Sequence, residues 1–398
     1  MKIKKCCIIP VFIFFAFAHS QTLKLADPQS VGLNKNKLEL ADSVIEQAIS
    51  DKLIPGAVFL VMKDRKIAYR KAYGSRQLIP DKKEMTIETI FDMASLTKPM
   101  ATATAFMILL DTGKIRLLDN VDYYLPGFQN WQDSLSGERE PIRLIHLLTH
   151  TSGLPAYAHP DLLLKLYNST SKDTLFKYID TVERFTKPGT KFRYSGLNFI
   201  TMQRIIEKLS GQTLNDFVKT YIFEPLGMKD TGYILNERQL QNCAATEIID
   251  GNPLIGNVHD PMARIIMKGI SANAGLFSTA DDMAVYASML LNHGSLNGVR
   301  VLSPLVTRAF ISIPAGFEDF GRGLGWDLNS AYASNQGDLL SDQAFGHTGY
   351  TGTSMVIDPA YNLVIILLTN RVHPDDKGSV VRLRSIISNL VASAIEQP

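Results

Sequence analysis

The 398-residue sequence predicts an α/β (α+β) protein: an antiparallel sheet flanked by helices, built from both chain ends, with a mainly helical region inserted between them. Three observations point there. Strand-like runs bounded by turn residues occur early, at residues 57–62 and 66–73, and again late, at 353–357 and 363–369. Between about 115 and 265 strand signals thin out and helical patches joined by Pro/Gly loops replace them. A composition that is 45% hydrophobic is ample for a large core.

Taken in order, the N-terminus opens with Lys2, Lys4 and Lys5, followed by an apolar run to Ala18 and a small-x-small site before Gln21. This pattern predicts a cleavable secretory signal peptide over residues 1–20, too short for a membrane span, so the remaining chain is expected to be periplasmic or secreted with no stable span. The net charge of +2 falls to about −1 once those three lysines are removed, and no basic stripe is present, so nothing supports nucleic-acid binding. Past the leader the only cysteine is Cys243, so no intramolecular disulfide can form and stability must come from the core.

Asn34 can cap a helix over 35–50, with apolar residues at helical spacing, and Pro55-Gly56 ends it. The runs at 57–62 and 66–73 read as a hairpin about Lys63-Asp64-Arg65. A helix containing Ser95 follows and stops near Gly113. Within the middle region, 143–148, 198–209 and 213–222 read as helices, the last with Thr213 as N-cap. Residues 281–292 form another helix, Asp358-Pro359 turns between the two late strands, and 379–396 closes the chain as an amphipathic helix. The α/β body is thus assigned to about 30–114 and 266–398, the helical region to about 115–265. The seam between them is a natural place for a pocket.

Ser95-Leu96-Thr97-Lys98 is the strongest chemical signal. Residues three apart share a helix face, so the Lys98 amine can lie beside the Ser95 hydroxyl. Serine is a poor nucleophile without an adjacent base, and a desolvated lysine can serve as one. Tyr194, in Phe192-Arg193-Tyr194-Ser195-Gly196, falls at a loop-to-helix junction, where a phenolate near two cations could act as a general base. His347-Thr348-Gly349 leads into the late strands and can form one wall of a site, its glycine admitting a substrate backbone. The next N–H, that of Tyr350, would pair with the Ser95 N–H around a developing oxyanion. His146 and His150 have zinc-helix spacing but lack the glutamate of that motif, so no metal site is assigned. His259 beside Asp260 has no G-x-S-x-G elbow to serve and reads as structural or pocket-lining.

Together Ser95-x-x-Lys98, Tyr194 about a hundred residues on, and His347-Thr348-Gly349 resemble the serine β-lactamase and penicillin-binding-protein-like superfamily, in its class C branch with related esterases and D-amino-acid peptidases. Residues 142–155, with His150-Thr151-Ser152-Gly153, the 274–282 segment and Gly323-Leu324-Gly325-Trp326 are similar to further family motifs, and the likeness runs from about residue 30 to the C-terminus. The resemblance implies a β-lactamase/transpeptidase-like fold and no cofactor. It implies Ser95 as the acylated nucleophile, and Lys98 and Tyr194 as the groups that share its proton. His347, Thr348, Gly349 and Tyr350 would line the substrate site. The expected partner is a small-molecule or short-peptide acyl donor.

Two departures matter. The family's Tyr-x-Asn is Tyr194-Ser195-Gly196 here, which removes an amide that helps hold substrate; Asn198 is two positions too far on. His347 stands where lysine is more common, giving a weaker charge with an ordinary pKa about 6.5. Both argue against efficient β-lactam turnover. The leading expectation is an exported serine hydrolase acting on an ester or amide, esterase-like or D-Ala-peptidase-like. The alternatives are an acyltransferase on the same chemistry, a β-lactamase, and a non-catalytic binding or sensing protein of the same fold.

Overall fold

Asn34 opens the first helix, α1 (Lys35–Ser50), by accepting the Lys37 N–H at 3.2 Å. In the computed structural model, which describes residues 23–330 and 335–396, the elements that position the site follow in order. They are β1 (Gly56–Lys63), β2 (Lys66–Gln77), β3 (Lys83–Glu84), α2 (Thr104–Asp111), α3 (Gly196–Ser210), α4 (Ala280–Leu291), β4 (Phe345–Thr348), β5 (Ser354–Asp358), β6 (Leu363–Thr369) and α5 (Val381–Ser393). The expected signal peptide lies outside the described residues.

One antiparallel sheet, ordered β4-β5-β6-β1-β2-β3, joins the two chain ends. Its central pair is β1 and β6, in register from Ala57 opposite Thr369 to Lys63 opposite Leu363. These strands are covered on both faces, so they read as unbroken apolar runs rather than alternating ones. Their side chains still alternate. Val58, Leu60 and Met62 of β1, with Val364, Ile366 and Leu368 of β6, enter the large inner core. Ala57, Phe59 and Val61, with Leu363, Ile365 and Leu367, enter an outer core covered by α1 and α5.

The outer layer is simple. Leu38, Ala41, Ile45 and Ala48 of α1 meet Leu383, Ile387 and Val391 of α5 over the sheet. The last helix begins at Val381 rather than 379, because Val380, with φ −121° and ψ 6°, is not helical. The inner core runs without a break from the sheet through α2 and α4 into α3 and the short helices around it. Helices Pro160–Tyr167 and Lys172–Thr181 lie in the middle of the chain, as does Leu214–Val218, which Thr213 caps. Among the described residues no helix is long and apolar enough to cross a membrane.

Candidate active site

The Ser95 segment departs from the regular helix expected of it. Phe91 and Asp92 pair with Phe277 and Ser278 as a short ladder. Ala94 then takes φ +44°, the left-handed region that L-residues avoid, and its N–H is held by the Asp92 carboxylate at 2.8 Å. A single 3₁₀ turn, Ala94–Leu96, presents Ser95, and Lys98–Ala103 continues as a π-type turn before α2 begins. Pro99, which has no N–H to donate, sits in that wide turn.

Lys98 lies under Ser95. Its Nζ donates to Ser95 Oγ at 3.0 Å and to the backbone oxygen of Asn273 at 2.7 Å. The Asn273 segment is strapped to the same helix: Thr97 Oγ1 accepts the Leu276 N–H (3.0 Å), and Thr102 Oγ1 donates to Ala272 O (2.8 Å). The lysine is 2% exposed, and burial pulls its ammonium down to about 7. The Asp260 carboxylate opposes that fall and the Arg322 guanidinium adds to it. A substantial fraction of Lys98 is therefore neutral amine near pH 7, and a neutral amine 3.0 Å from a serine hydroxyl can take its proton.

Tyr194 closes the other side. The Lys98 Nζ is 4.9 Å from its ring centre. Burial pushes the phenol up to about 12; a hydrogen bond with Ser95 and the charge of Arg322 oppose this without overcoming it. The phenolate suggested by two neighbouring cations is thus not the resting form, because losing solvent outweighs gaining positive neighbours. Tyr194 holds its proton near neutrality and can donate it. The ring is fixed by His150, whose ring centre is 4.4 Å away and which is fully buried. His150 Nδ1 accepts the Ser195 N–H at 3.0 Å, so its proton sits on Nε2, and burial keeps the imidazole neutral. Arg322 lies 5.9 Å from the Tyr194 ring centre, wholly buried and paired with Asp327 at 2.8 Å.

His347 sits on β4, 3% exposed, with its ring 6.1 Å from that of Tyr194. Its Nδ1 lies 2.8 Å from the Thr348 carbonyl, which can only accept, so Nδ1 carries the proton. Burial, with Arg322 and Lys98 nearby, holds its pKa well below 6.5. The pH-dependent positive charge expected at this position is absent near neutrality; His347 offers a neutral Nε2.

Gly349 serves the nucleophile segment rather than a substrate backbone. A β-carbon there would lie 2.5 Å from Met93 O and would also strike Thr353 Oγ1. Thr351 Oγ1 donates to Asp92 O (2.7 Å) and Thr353 Oγ1 to Met93 O (3.2 Å), so the loop after β4 is stitched to the Ser95 turn. Neither the Ser95 nor the Tyr350 N–H meets an acceptor among the described residues, which leaves both available to an oxyanion. The Tyr350 side chain is exposed, stacked on His259 with ring centres 5.5 Å apart, and its hydroxyl donates to Asp376. His259 lines this rim, and its N–H donates to Asp92 at 2.7 Å.

The structure therefore brings Ser95, Lys98, Tyr194 and His347 to one site, with Lys98 and His347 buried and Ser95 and Tyr194 half-buried, while the loop of Thr348, Gly349 and Tyr350 runs beside the Ser95 turn. Asn198 does not compensate for Gly196, because its Oδ1 takes the Ser152 hydroxyl at 2.6 Å inside the core. His146 caps its own short helix by accepting the Arg143 N–H at 3.1 Å. Sequence reasoning missed His150 as a partner of Tyr194, Arg322 as a buried charge, and Asn273 as the second acceptor for Lys98. The only hint was that all three lie in or beside motifs already noted.

The chain matches the Beta-lactamase family over residues 41–386. It is 35% identical over 375 residues to an N-acetylmuramyl-L-alanine amidase of Bacillus subtilis, covering 88% of this chain and 84% of that one. It is 33% identical over 414 aligned positions to a protein of Salmonella paratyphi B named as a candidate D-alanyl-D-alanine carboxypeptidase, covering 97% and 95%. In fold it is similar to EstCE1, a hydrolase with promiscuous acyltransferase activity (TM-score 0.73, 23% identity, 90% of this chain and 99% of that one). It is also similar to a class C beta-lactamase (TM-score 0.71, 20% identity, 92% and 98%).

Proposed function

The chain belongs to the beta-lactamase family of serine hydrolases and acyltransferases, and from that premise we propose that it is a hydrolase acting through an acyl-enzyme at Ser95. The observation that carries this reading is the 3.0 Å contact between Ser95 Oγ and a lysine brought down to about 7. Neutral Lys98 takes the Ser95 proton as Oγ bonds to the substrate carbonyl carbon. The N–H groups of Ser95 and Tyr350 hold the resulting oxyanion. On collapse the bond to the leaving group breaks, and Tyr194 supplies the proton that group needs. Lys98, now charged, restores the phenol. A water then attacks the ester at Ser95 by the same steps in reverse, releasing the acid.

The substrate is an ester or an amide of the kind found in cell-wall peptides, the second class supported by the names of the two relatives. A neutral His347 supplies no cation for a free carboxylate beside the scissile bond, which favours esters or internal amides over C-terminal D-alanine and over penicillins. The N-terminal pattern of residues 1–20 supports export to the periplasm or beyond the cell.

Intact-mass measurement tests the reading. Wild type and Ser95→Ala are incubated with p-nitrophenyl esters, penicillins and D-Ala-D-Ala peptides. A transient adduct on wild type alone, with product released, is expected from at least one ester. No adduct across the panel would favour a binding protein of the same fold. New esters on adding alcohols would identify an acyltransferase.

A further inference from the structure

Gly196 needs a spatial explanation. It is the first residue of α3, its N–H donates to Ala156 O at 2.8 Å, and its φ is not in the left-handed region, so its backbone conformation does not require glycine. Its contacts do not exclude a β-carbon but place one directly against Asn273. A β-carbon at 196 would lie 3.4 Å from Asn273 Cβ, 3.5 Å from Asn273 Nδ2 and 3.4 Å from the Met262 methyl. These are ordinary van der Waals distances, so the Asn273 side chain packs against position 196 and a side chain longer than a methyl there would crowd it.

Asn273 is 3% exposed and held at two points. Its backbone oxygen accepts an N–H from Lys98 Nζ at 2.7 Å, and its Oδ1 accepts the Ser271 hydroxyl at 2.6 Å. Its Nδ2 finds no acceptor among the described residues. It is not one of the buried polar atoms left without a partner, so it is accessible and free to donate to a ligand. The residue that carries this donor touches Lys98 through its backbone and sits on a segment strapped to the Ser95 helix by Thr97 and Thr102.

We infer that Asn273 Nδ2 is the substrate-amide donor of this site, recognising a carbonyl oxygen in the acyl half of the substrate. The preferred donors are then N-acylated or peptidyl ones, whose acyl group carries an amide close to the scissile carbonyl. This rests on the acyl-enzyme reading above. Gly196 and Asn273 are neighbours across the site, and the short residue at 196 leaves the asparagine amide uncrowded.

The experiment compares two esters with the same leaving group, p-nitrophenyl acetate and the p-nitrophenyl ester of N-acetyl-D-alanine. The readout is the ratio of their kcat/KM values, the second over the first. Asn273→Asp keeps the shape and removes the donor; it should lower the ratio by about three- to tenfold, the worth of one neutral hydrogen bond. An unchanged ratio in that variant overturns the inference. Where near-UV circular dichroism shows that Asn273→Asp has not folded, Gly196→Val asks the same question by crowding Nδ2 from the opposite side, and an unchanged ratio there is equally fatal. A wild-type chain that is acylated by neither ester overturns the acyl-enzyme reading, and this inference with it. Acylation with an unaltered ratio overturns this inference alone.

Discussion

Lowering the Lys98 ammonium from 10.5 to about 7 has a consequence that can be counted. At the ordinary value about one amine in three thousand is neutral at pH 7; at about 7, half are. The gain in available base is on the order of 10³, equivalent to about 4 kcal/mol of differential solvation and charge. The proposed mechanism uses only the neutral amine, so kcat/KM for a chromogenic ester should rise tenfold per pH unit up to about pH 7 and then level off. At pH 5 it should be about one-hundredth of the plateau. The rival titrating group is His347, whose pKa is held well below 6.5. The assay is therefore run on wild type and His347→Gln from pH 5 to 9. An acid limb near 7 in both supports Lys98. A limb that vanishes in His347→Gln, or one that lies near 10, would refute the assignment of Lys98 as a neutral base.

The same burial predicts that Lys98→Met stabilises the fold while abolishing activity. The folded pKa lies below the unfolded one, so keeping the lysine carries a penalty that is complete below pH 7 and fades between 7 and 10.5. Allowing about 1–3 kcal/mol for the Asn273 oxygen left without its donor, the net gain near pH 7 is about 1–3 kcal/mol. A lower Tm at pH 7 would contradict it. Tyr194→Phe should slow acylation by about 10²–10⁴ with an unchanged circular dichroism spectrum, and a near wild-type rate would remove Tyr194 from proton transfer. Gly349→Ala should lower stability by more than about 2 kcal/mol, since its methyl meets Met93 O and Thr353 Oγ1, and should cut activity through the Ser95 turn; a neutral effect on Tm would show that the two segments are not tightly joined.

How much of this was legible in the sequence depended on range. The Asn34 cap, the Asp64-Arg65 turn and the late strands were readable because each is a local pattern of caps, turns and apolar periodicity. Ser95 and Lys98 were readable because three residues separate them. The protonation states of Tyr194 and His347 were not, since they depend on burial and on Arg322, which is 128 positions beyond Tyr194 and 25 before His347. The contacts of Asn273 were not legible for the same reason: Lys98 and Gly196, which it touches, lie far from it in sequence. The Ser95 segment looked like one helix because its apolar pattern is continuous, while the left-handed Ala94 and Pro99 divide it.

The stitching of Thr351 and Thr353 to Asp92 and Met93 also sets when the site can exist. These contacts close loops of more than 250 residues, and the central β1-β6 pairing joins Ala57 to Thr369. Such topology has high contact order and folds slowly. The Ser95 turn lacks its second wall until the last strands have been made and have returned to the first. Any chain ending before residue 353, whether a nascent polypeptide or a proteolytic fragment, therefore carries the serine and its lysine without the loop that frames them.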